Sequence, residues 1–209
     1  MQPIVDKRAR QGGFTIVESL ITIVILGILL AVGVPNMSRW LGATAATGAS
    51  QFYAEGFTLA RSQALANNSR SRLVFSDNDQ SGQLDWRVDV CFPTADDACA
   101  AASTRWSTVE KAATKPDGGE VATKSVSRSS AALPGATVLS VTPNDDSGEV
   151  YFTPLGWLDG ASANVTRLDL TPAEGNADAF DDLAVVVTLA GAVVTCRPDV
   201  GAGDSRRCP

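Results

Sequence analysis

Four cysteines are the side chains of this sequence best suited to covalent chemistry. They are Cys91, Cys99, Cys196 and Cys208. Four cysteines allow three full pairings, and the pairing of sequence neighbours, Cys91–Cys99 and Cys196–Cys208, closes two short loops. A zinc site built from four thiolates is the alternative, but no Cys-x-x-Cys spacing supports it. We therefore predict disulfides, and with them an oxidising compartment such as a periplasm or the cell exterior.

The sequence contains no histidine. Histidine is the most frequent general base and metal ligand in proteins, so its absence excludes Ser-His-Asp catalysis, Cys-His catalysis and histidine zinc sites. The formal net charge of −6 also disfavours general nucleic-acid binding, because that affinity comes largely from neutralising phosphates. We expect a protein that is not an enzyme and that needs no cofactor and no metal.

One acidic stretch has part of the spacing of a calcium loop. Asp77, Asp79, Ser81 and Asp85 occupy loop positions one, three, five and nine. Position twelve, where such a loop needs a glutamate that binds with both oxygens, is Val88. The flanking residues also have the pattern of strands rather than of paired helices, so we favour a polar hairpin turn.

A basic cluster lies near the last two cysteines and consists of Arg197, Arg206 and Arg207. A Cys196–Cys208 disulfide would gather these arginines, and three guanidinium groups could contact a few phosphates. A solvated tail held by the disulfide is the simpler interpretation, and it is the one we favour.

The element that must position the N-terminal residues is a long apolar segment. Residues 1–13 carry three basic side chains against one acidic side chain, which should keep this end in the cytoplasm. Residues 14–34 are long enough to span a bilayer as a helix, and Glu18 is their only charged residue. A carboxylate in a membrane helix costs about 2.5–3.5 kcal/mol at the helix centre, so Glu18 needs a partner.

A plain membrane anchor, a secretory signal peptide and a buried core helix are the simple interpretations of this segment. Glu18 argues against all three. Thr15, Glu18, Ser19 and Thr22 fall at helical spacing on one face, which suits a helix that packs against other helices. An amino group freed by cleavage before Phe14 could pair with Glu18 of a neighbouring subunit.

Residues 12–18 (GGFTIVE) resemble the class III signal of type IV prepilins and type II secretion pseudopilins. In that family a dedicated peptidase cuts after the glycine and methylates the new N-terminus. The resemblance therefore implies cleavage between Gly13 and Phe14, and N-methylation of Phe14. It also implies that Glu18, fifth in the processed chain, directs assembly and that Pro35 kinks the helix.

The helix pattern continues over residues 36–66. The apolar stripe that we expect to face the core comprises Leu41, Ala45, Gly48, Phe52 and Leu59. Strands are predicted within residues 72–75, 84–92, 138–141, 150–152, 165–170 and, as a hairpin, 183–196. Residues 111–135 are rich in small polar residues and are predicted to be a surface excursion.

Alternation over residues 84–92 indicates a half-buried strand. Its outer, polar face would carry Asp85, Arg87, Asp89 and Cys91.

Three short motifs of the head resemble minor pilins and pseudopilins of the FimT, FimU and GspH type. They are residues 59–64 (LARSQA), 152–156 (FTPLG) and 187–191 (VTLAG), the last of which leads to Cys196. Some FimT-like minor pilins carry arginines in this hairpin that bind DNA. The matching positions here, Ala192 and Val194, are apolar, so that role is not carried over.

The resemblance implies an α+β fold of the type IV pilin kind, with a long N-terminal helix packed on a β-rich C-terminal head. Four regions are expected. They are a leader peptide at residues 1–13, a transmembrane and assembly helix at 14–35, an amphipathic helix at 36–66, and a head with a disulfide-bearing tail at 67–209.

The expected function is that of a minor pilin of a type IV pilus, a structural subunit for biogenesis, motility or adhesion. A type II secretion pseudopilin is the alternative, and a DNA-uptake minor pilin is a third candidate that the missing arginines at 192 and 194 weaken. The expected location is the bacterial inner membrane, with a single pass and a periplasmic head, and then a pilus or pseudopilus. Expected partners are other pilins or pseudopilins, bound through the N-terminal helix, and the prepilin peptidase. Nucleic acid is a weaker expectation.

Overall fold

The computed structural model describes residues 14–117, 122–176 and 179–209, with only the backbone described for residues 35, 36, 38 and 122. Residues 1–13, and with them the predicted leader peptide, lie outside the described residues. The chain divides into two compact units, Met1–Ser38 and Arg39–Pro209.

A long helix, α1, spans Ile16–Asn67. It begins where it does because the hydroxyl oxygen of Thr15 accepts a hydrogen bond from the backbone N–H of Glu18 at 3.2 Å. Threonine followed three residues later by glutamate is the sequence of a capping box. The cap satisfies one of the N–H groups that the first turn of a helix leaves without a partner.

The end of α1 is set by Asn68, whose φ of +46° is left-handed. Asparagine tolerates this conformation better than most residues do. The turn lets the N–H of Ser69 reach the carbonyl oxygen of Ala64 at 3.0 Å, as in a Schellman motif. The chain is thereby directed out of the helix and into the first strand.

Ten strands lie in the described part of the second unit. They are β1 (Arg70–Asp77), β2 (Leu84–Cys91), β3 (Ala113–Thr114), β4 (Ala122–Thr123), β5 (Val126–Arg128), β6 (Leu139–Pro143), β7 (Glu149–Phe152), β8 (Arg167–Pro172), β9 (Leu183–Val187) and β10 (Val193–Cys196). The first sheet has the order β5-β2-β1-β7, the second sheet has the order β10-β9-β8-β6, and β3 pairs with β4. All of these pairs are antiparallel.

The main core of the second unit is shared by α1 and strands of both sheets. Strand residues buried in it include Leu73, Trp86, Val88, Val150, Phe152, Leu168, Leu170, Val185 and Val187. Burying an apolar side chain of this size stabilises the fold by about 1.5–3 kcal/mol. The predicted fold class, an α+β fold with a long N-terminal helix and antiparallel sheets, is confirmed.

The predicted core-facing stripe of the helix is correct only at Phe52 and Leu59, which pack against the main core. Leu41 and Gly48 are exposed, and Ala45, Phe52 and Leu59 are only half-buried. The buried face of α1 instead comprises Ala49, Tyr53, Phe57, Ala60 and Ala64. Alanine has a small side chain, so alanines on this face let the helix backbone lie close to the sheets while the interior stays close-packed.

Residues 111–135 are more than a surface excursion. Strand β5, within this range, is hydrogen-bonded to β2, with Trp86 opposite Arg128. Ala113, in β3, is buried in a small cluster with Val90 and Phe92. This part of the chain therefore extends the first sheet and covers part of its outer face.

Candidate functional site

The apolar segment at the start of α1 is exposed along its whole length. Its large apolar side chains, from Phe14 to Val34, have between 52% and 81% of their surface exposed. Among the described residues, α1 is the one helix that is long and apolar enough, by length and composition, to cross a membrane. An apolar surface of this size marks a place where lipid or protein must bind.

Glu18 is the only charged side chain in this segment. The neighbouring hydroxyls already have partners within the helix, because Ser19 donates to the carbonyl oxygen of Thr15 at 3.3 Å and Thr22 donates to that of Ser19 at 2.8 Å. The carboxylate of Glu18 is exposed and has no hydrogen-bond or ion-pair partner among the described residues. Within the described residues, the polar face that Thr15, Glu18, Ser19 and Thr22 form at the start of α1 therefore has one charge without a partner, that of Glu18.

Other predicted residues of this region are only partly described. Gly13 lies outside the described residues, and Phe14 is the first of them. Cleavage between the two and methylation of Phe14 remain predictions. Pro35 lies inside α1, and the predicted kink at this residue also remains a prediction.

The cysteines form two disulfides between sequence neighbours. Cys91 is bonded to Cys99, with Cα atoms 6.0 Å apart, and Cys196 is bonded to Cys208, with Cα atoms 4.9 Å apart. The first bond lies in a small second core with Trp106 and Tyr151. It ties the loop that follows β2 to the outer face of the first sheet.

Asp89 is a buried carboxylate that the sequence did not reveal, because the alternation of β2 places it on the polar face. The Nε of Arg72 lies 3.0 Å from one of its oxygens, and the Nε of Arg87 lies 2.8 Å from the other. Ser125 donates a further hydrogen bond to this carboxylate at 2.7 Å. Arg72 also stacks over the ring of Trp106 at 4.6 Å. The network fastens the loop after β2 to the sheet, which is a structural role.

The C-terminal arginines are largely paired with acidic residues. Arg197 lies 2.5 Å from a carboxylate oxygen of Asp181, and Arg206 lies 2.6 Å from one of Asp204. The hydrogen bonds from Arg206 lower the pKa of Asp204 to about 2. Arg207 is exposed, and its backbone N–H donates to the carbonyl oxygen of Asp204 at 3.1 Å. Guanidinium groups already paired with carboxylates are poorly suited to phosphate, so this geometry does not favour DNA binding.

Arg197 lines an open cavity of about 610 Å³ that also contains three carboxylates. They belong to Asp181, Asp182 and Asp199. Burial and the adjacent charge of Asp199 raise the pKa of Asp182. The cavity therefore has an excess of negative charge, which also disfavours a nucleic acid.

The acidic stretch between β1 and β2 forms a turn closed by its own hydrogen bonds. The side-chain oxygen of Asn78 accepts from the N–H of Ser81 at 3.0 Å, and the carboxylate of Asp85 accepts from the N–H of Ser130 at 2.6 Å. Burial raises the pKa of Asp85, but hydrogen bonds from Ser130, Asn78 and Ser129 outweigh it and leave the pKa lowered. In the described part of the chain, no group of three or more acidic or cysteine side chains is arranged to hold a metal.

The three head motifs, far apart in sequence, meet at one place. The Nε of Arg61, from residues 59–64, donates to the carbonyl oxygen of Gly156 at 3.2 Å. Gly191 has a φ of +74°, and a Cβ at this position would overlap that same carbonyl oxygen. Gly156, with a φ of +73°, lies against the side chain of Leu65. Together these contacts join the end of α1 to the turns after β7 and β9. We call them the two-glycine contact, after Gly156 and Gly191.

Comparison with known protein families gives two matches, which cover separate stretches of the chain. Residues 8–34 match the prokaryotic N-terminal methylation motif, and residues 49–191 match the family of the type II transport protein GspH. The second match contains all three of the head motifs. No curated protein and no solved structure gave a significant match. The chain belongs to the GspH family, as a type IV pilin-like protein that carries a prepilin methylation signal.

Proposed function

We propose that this protein is a minor pilin of a type IV pilus. In this proposal it crosses the bacterial inner membrane once with its head in the periplasm, and a prepilin peptidase cuts it between Gly13 and Phe14 and methylates Phe14. The observation that carries the proposal is Glu18, which lies in the first turn of an exposed apolar helix and has no partner among residues 14–209 that the structure describes. Such a charge needs a partner outside the described residues.

The assembly mechanism follows from this charge. Cleavage before Phe14 creates an ammonium group at the start of the helix, close to where Glu18 of a neighbouring subunit would lie. Pairing of the two charges removes the cost of holding a lone carboxylate in an apolar environment. A pairing that needs correct register would also select the position of each subunit as helices leave the bilayer and join a bundle.

The C-terminal tail favours a pilus over a secretion apparatus. Residues after β10 are closed into a loop by the Cys196–Cys208 disulfide. Disulfides persist both in the periplasm and outside the cell, and a tail closed in this way suits a head that must stay folded after it leaves the periplasm. A second candidate, a type II secretion pseudopilin that serves protein export, is supported by the description of the matching family. A DNA-uptake role finds little support, since two of the three tail arginines are paired with aspartates.

The proposal is tested by the amount of pilin sheared from the surface of cells that lack this gene. We expect a strong loss of sheared pilin, restored by the intact gene but not by Gly13→Arg, which blocks cleavage. The same strains are assayed for secreted proteins.

Normal pili together with a loss of secreted proteins would replace the proposal with the pseudopilin candidate. Normal pili, normal secretion and a loss of DNA uptake would favour the third candidate. Restoration of pili by Gly13→Arg would contradict the cleavage step itself.

A further inference from the structure

Strand β10 forms one edge of the second sheet and pairs only with β9. At the start of this hairpin the N–H of Thr188 donates to the carbonyl oxygen of Ala192 at 2.9 Å. In an antiparallel pair, hydrogen-bonded and non-bonded positions alternate, so Val194 bonds to β9. The N–H and C=O groups of Val193 and Thr195 therefore point away from the sheet.

Val193 and Thr195 have no partner for these outward groups among the described residues. The next outward position, Arg197, is occupied, because its N–H donates to the carbonyl oxygen of Arg206 at 2.7 Å. The C-terminal segment thus covers the outer edge at Arg197. Among the described residues, the backbone N–H and C=O groups of Val193 and Thr195 thus remain as two hydrogen-bond donors and two acceptors without partners.

Proteins usually protect an exposed edge strand with a charge, a proline or a bulge. Strand β10 has the sequence VVTC, and residues 188–196 carry no charge and no proline. Val194 is 39% exposed and Leu189, in the adjoining turn, is 78% exposed. The charge nearest in sequence, Arg197, is paired with Asp181. The edge is therefore open, apolar and uncharged.

We propose that the outer edge of β10 binds an extended, uncharged, apolar segment of a partner protein, which adds to the second sheet as a further strand. The unpaired backbone groups of Val193 and Thr195 require a partner with complementary backbone groups, which an extended peptide supplies. Val194 and Leu189 offer apolar contacts for the side chains of that segment. A nucleic acid fits poorly, because Val193 and Thr195 carry no cation for phosphate and Arg197, the next outward position, is paired with Asp181. The inference rests on strand β10 and not on Glu18 or on the apolar segment of α1, so it does not depend on the proposed pilus function.

The test uses the full chain in lipid nanodiscs and a fluorescent, end-capped Val-Thr-Val-Thr-Val peptide as the probe, with empty nanodiscs as the blank. Thr195→Pro removes one outward N–H without removing a bond to β9, since proline is tolerated where the N–H faces away from a sheet. Thr195→Val is the matched control, because it changes the side chain and keeps the N–H. A second peptide carries N-methyl groups on the amides that would face β10.

We expect saturable binding to the parent and to Thr195→Val, and binding at least about tenfold weaker to Thr195→Pro or with the N-methylated peptide, the loss expected when backbone hydrogen bonds carry the affinity. Hydrogen exchange at the amides of Val193 and Thr195 should slow when the probe is bound. No binding to the parent, or equal binding by Thr195→Pro, would overturn the proposal. Self-association of the chain without peptide, lost in Thr195→Pro, would assign the edge to a second copy and also overturn it.

Discussion

At the scale of single residues, the buried carboxylate of Asp89 is the centre of a hydrogen-bond network on the outer face of the first sheet. Its carboxylate is fully buried, while Arg72 keeps 13% and Arg87 keeps 40% of its side chain exposed. A carboxylate held in this way is stable only while its donors remain. The loop after β2 depends on it, because Arg72 also contacts Trp106 and donates to the carbonyl oxygen of Ala101 at 3.3 Å.

Asp89→Asn should lower the free energy of unfolding by about 3 kcal/mol, because Arg87 loses its carboxylate partner and Arg72 keeps only Glu149, at 3.5 Å, in a partly buried site. Urea unfolding followed by tryptophan fluorescence measures this change. Asp146→Asn is the control, since Asp146 is exposed and a substitution there should stay within about 0.5 kcal/mol. Equal effects of the two substitutions would show that the buried network contributes little.

A second residue-scale prediction concerns Asp182, whose pKa is raised by burial and by the charge of Asp199. A raised pKa means that the folded state binds more protons than the unfolded state between the two pKa values. The stability contributed by this group is therefore lost as pH rises through that interval and is present below it. Asp182→Asn should raise the free energy of unfolding at pH 7 slightly, by about a few tenths of a kcal/mol, because the group is only half-buried and solvent screens its charge.

The gain from Asp182→Asn should vanish below about pH 4, where an ordinary carboxyl group is protonated. Thermal unfolding of the two proteins across this pH range checks the prediction. A gain that persists at low pH would mean that the substitution acts through packing rather than charge.

At the scale of elements, the two-glycine contact explains why three motifs of five or six residues occur together in one head. The turn after β7 and the turn after β9 approach so closely that their glycines leave no room for a side chain. Arg61 then binds the carbonyl oxygen of Gly156 and fixes both turns to α1. The motifs are weak individually because each supplies only one part of a single contact.

Gly191→Ala should destabilise the head by about 3 kcal/mol, through the left-handed φ and the overlap with Gly156. For a domain of this size each kcal/mol corresponds to about 2–4 °C, so the melting temperature should fall by roughly 6–12 °C. Gly201→Ala is the matched control, because an added Cβ there meets nothing within 4 Å. A small effect at Gly191 would mean that the two turns can separate without loss of the fold.

Elements were predictable to the extent that a local pattern determines them. The apolar run of α1 and the alternation in β2 and β8 depend on neighbouring residues, and the sequence analysis located them. The buried face of α1 was not predictable, because Ala49 and Ala60 are selected by closeness to the sheets and not by their own hydrophobicity. Burial of Asp89 was also hidden, since it depends on a distant segment that folds over β2.

At the scale of the whole molecule, the two units differ in what stabilises them. The second unit, Arg39–Pro209, contains the main core, the strands and both disulfides. In the first unit, the described apolar side chains contact solvent. A substitution in the first unit should therefore change assembly and leave the fold of the head intact.

Glu18→Gln should strongly reduce incorporation into filaments, because it removes the charge while keeping the size of the side chain. Cellular fractionation and immunoblotting of sheared filaments measure incorporation against total protein. Ser19→Ala is the matched control, because that hydroxyl already bonds within its own helix, and near-normal incorporation is expected. Normal incorporation of Glu18→Gln would remove the charge-pairing step from the mechanism.

The burial pattern of the tryptophans makes the head suitable for optical study. Trp86 and Trp106 are buried, in the main core and in the small disulfide core respectively, whereas Trp40 and Trp157 are exposed. Iodide should therefore quench the fluorescence of Trp40 and Trp157 and leave that of Trp86 and Trp106 unchanged. With the two exposed indoles replaced by phenylalanine, the remaining emission would report the two cores alone. Reduction of Cys91–Cys99 would then show whether the small core can open to solvent while the main core stays folded. A shift of the emission to longer wavelength and new quenching by iodide would report exposure of Trp106.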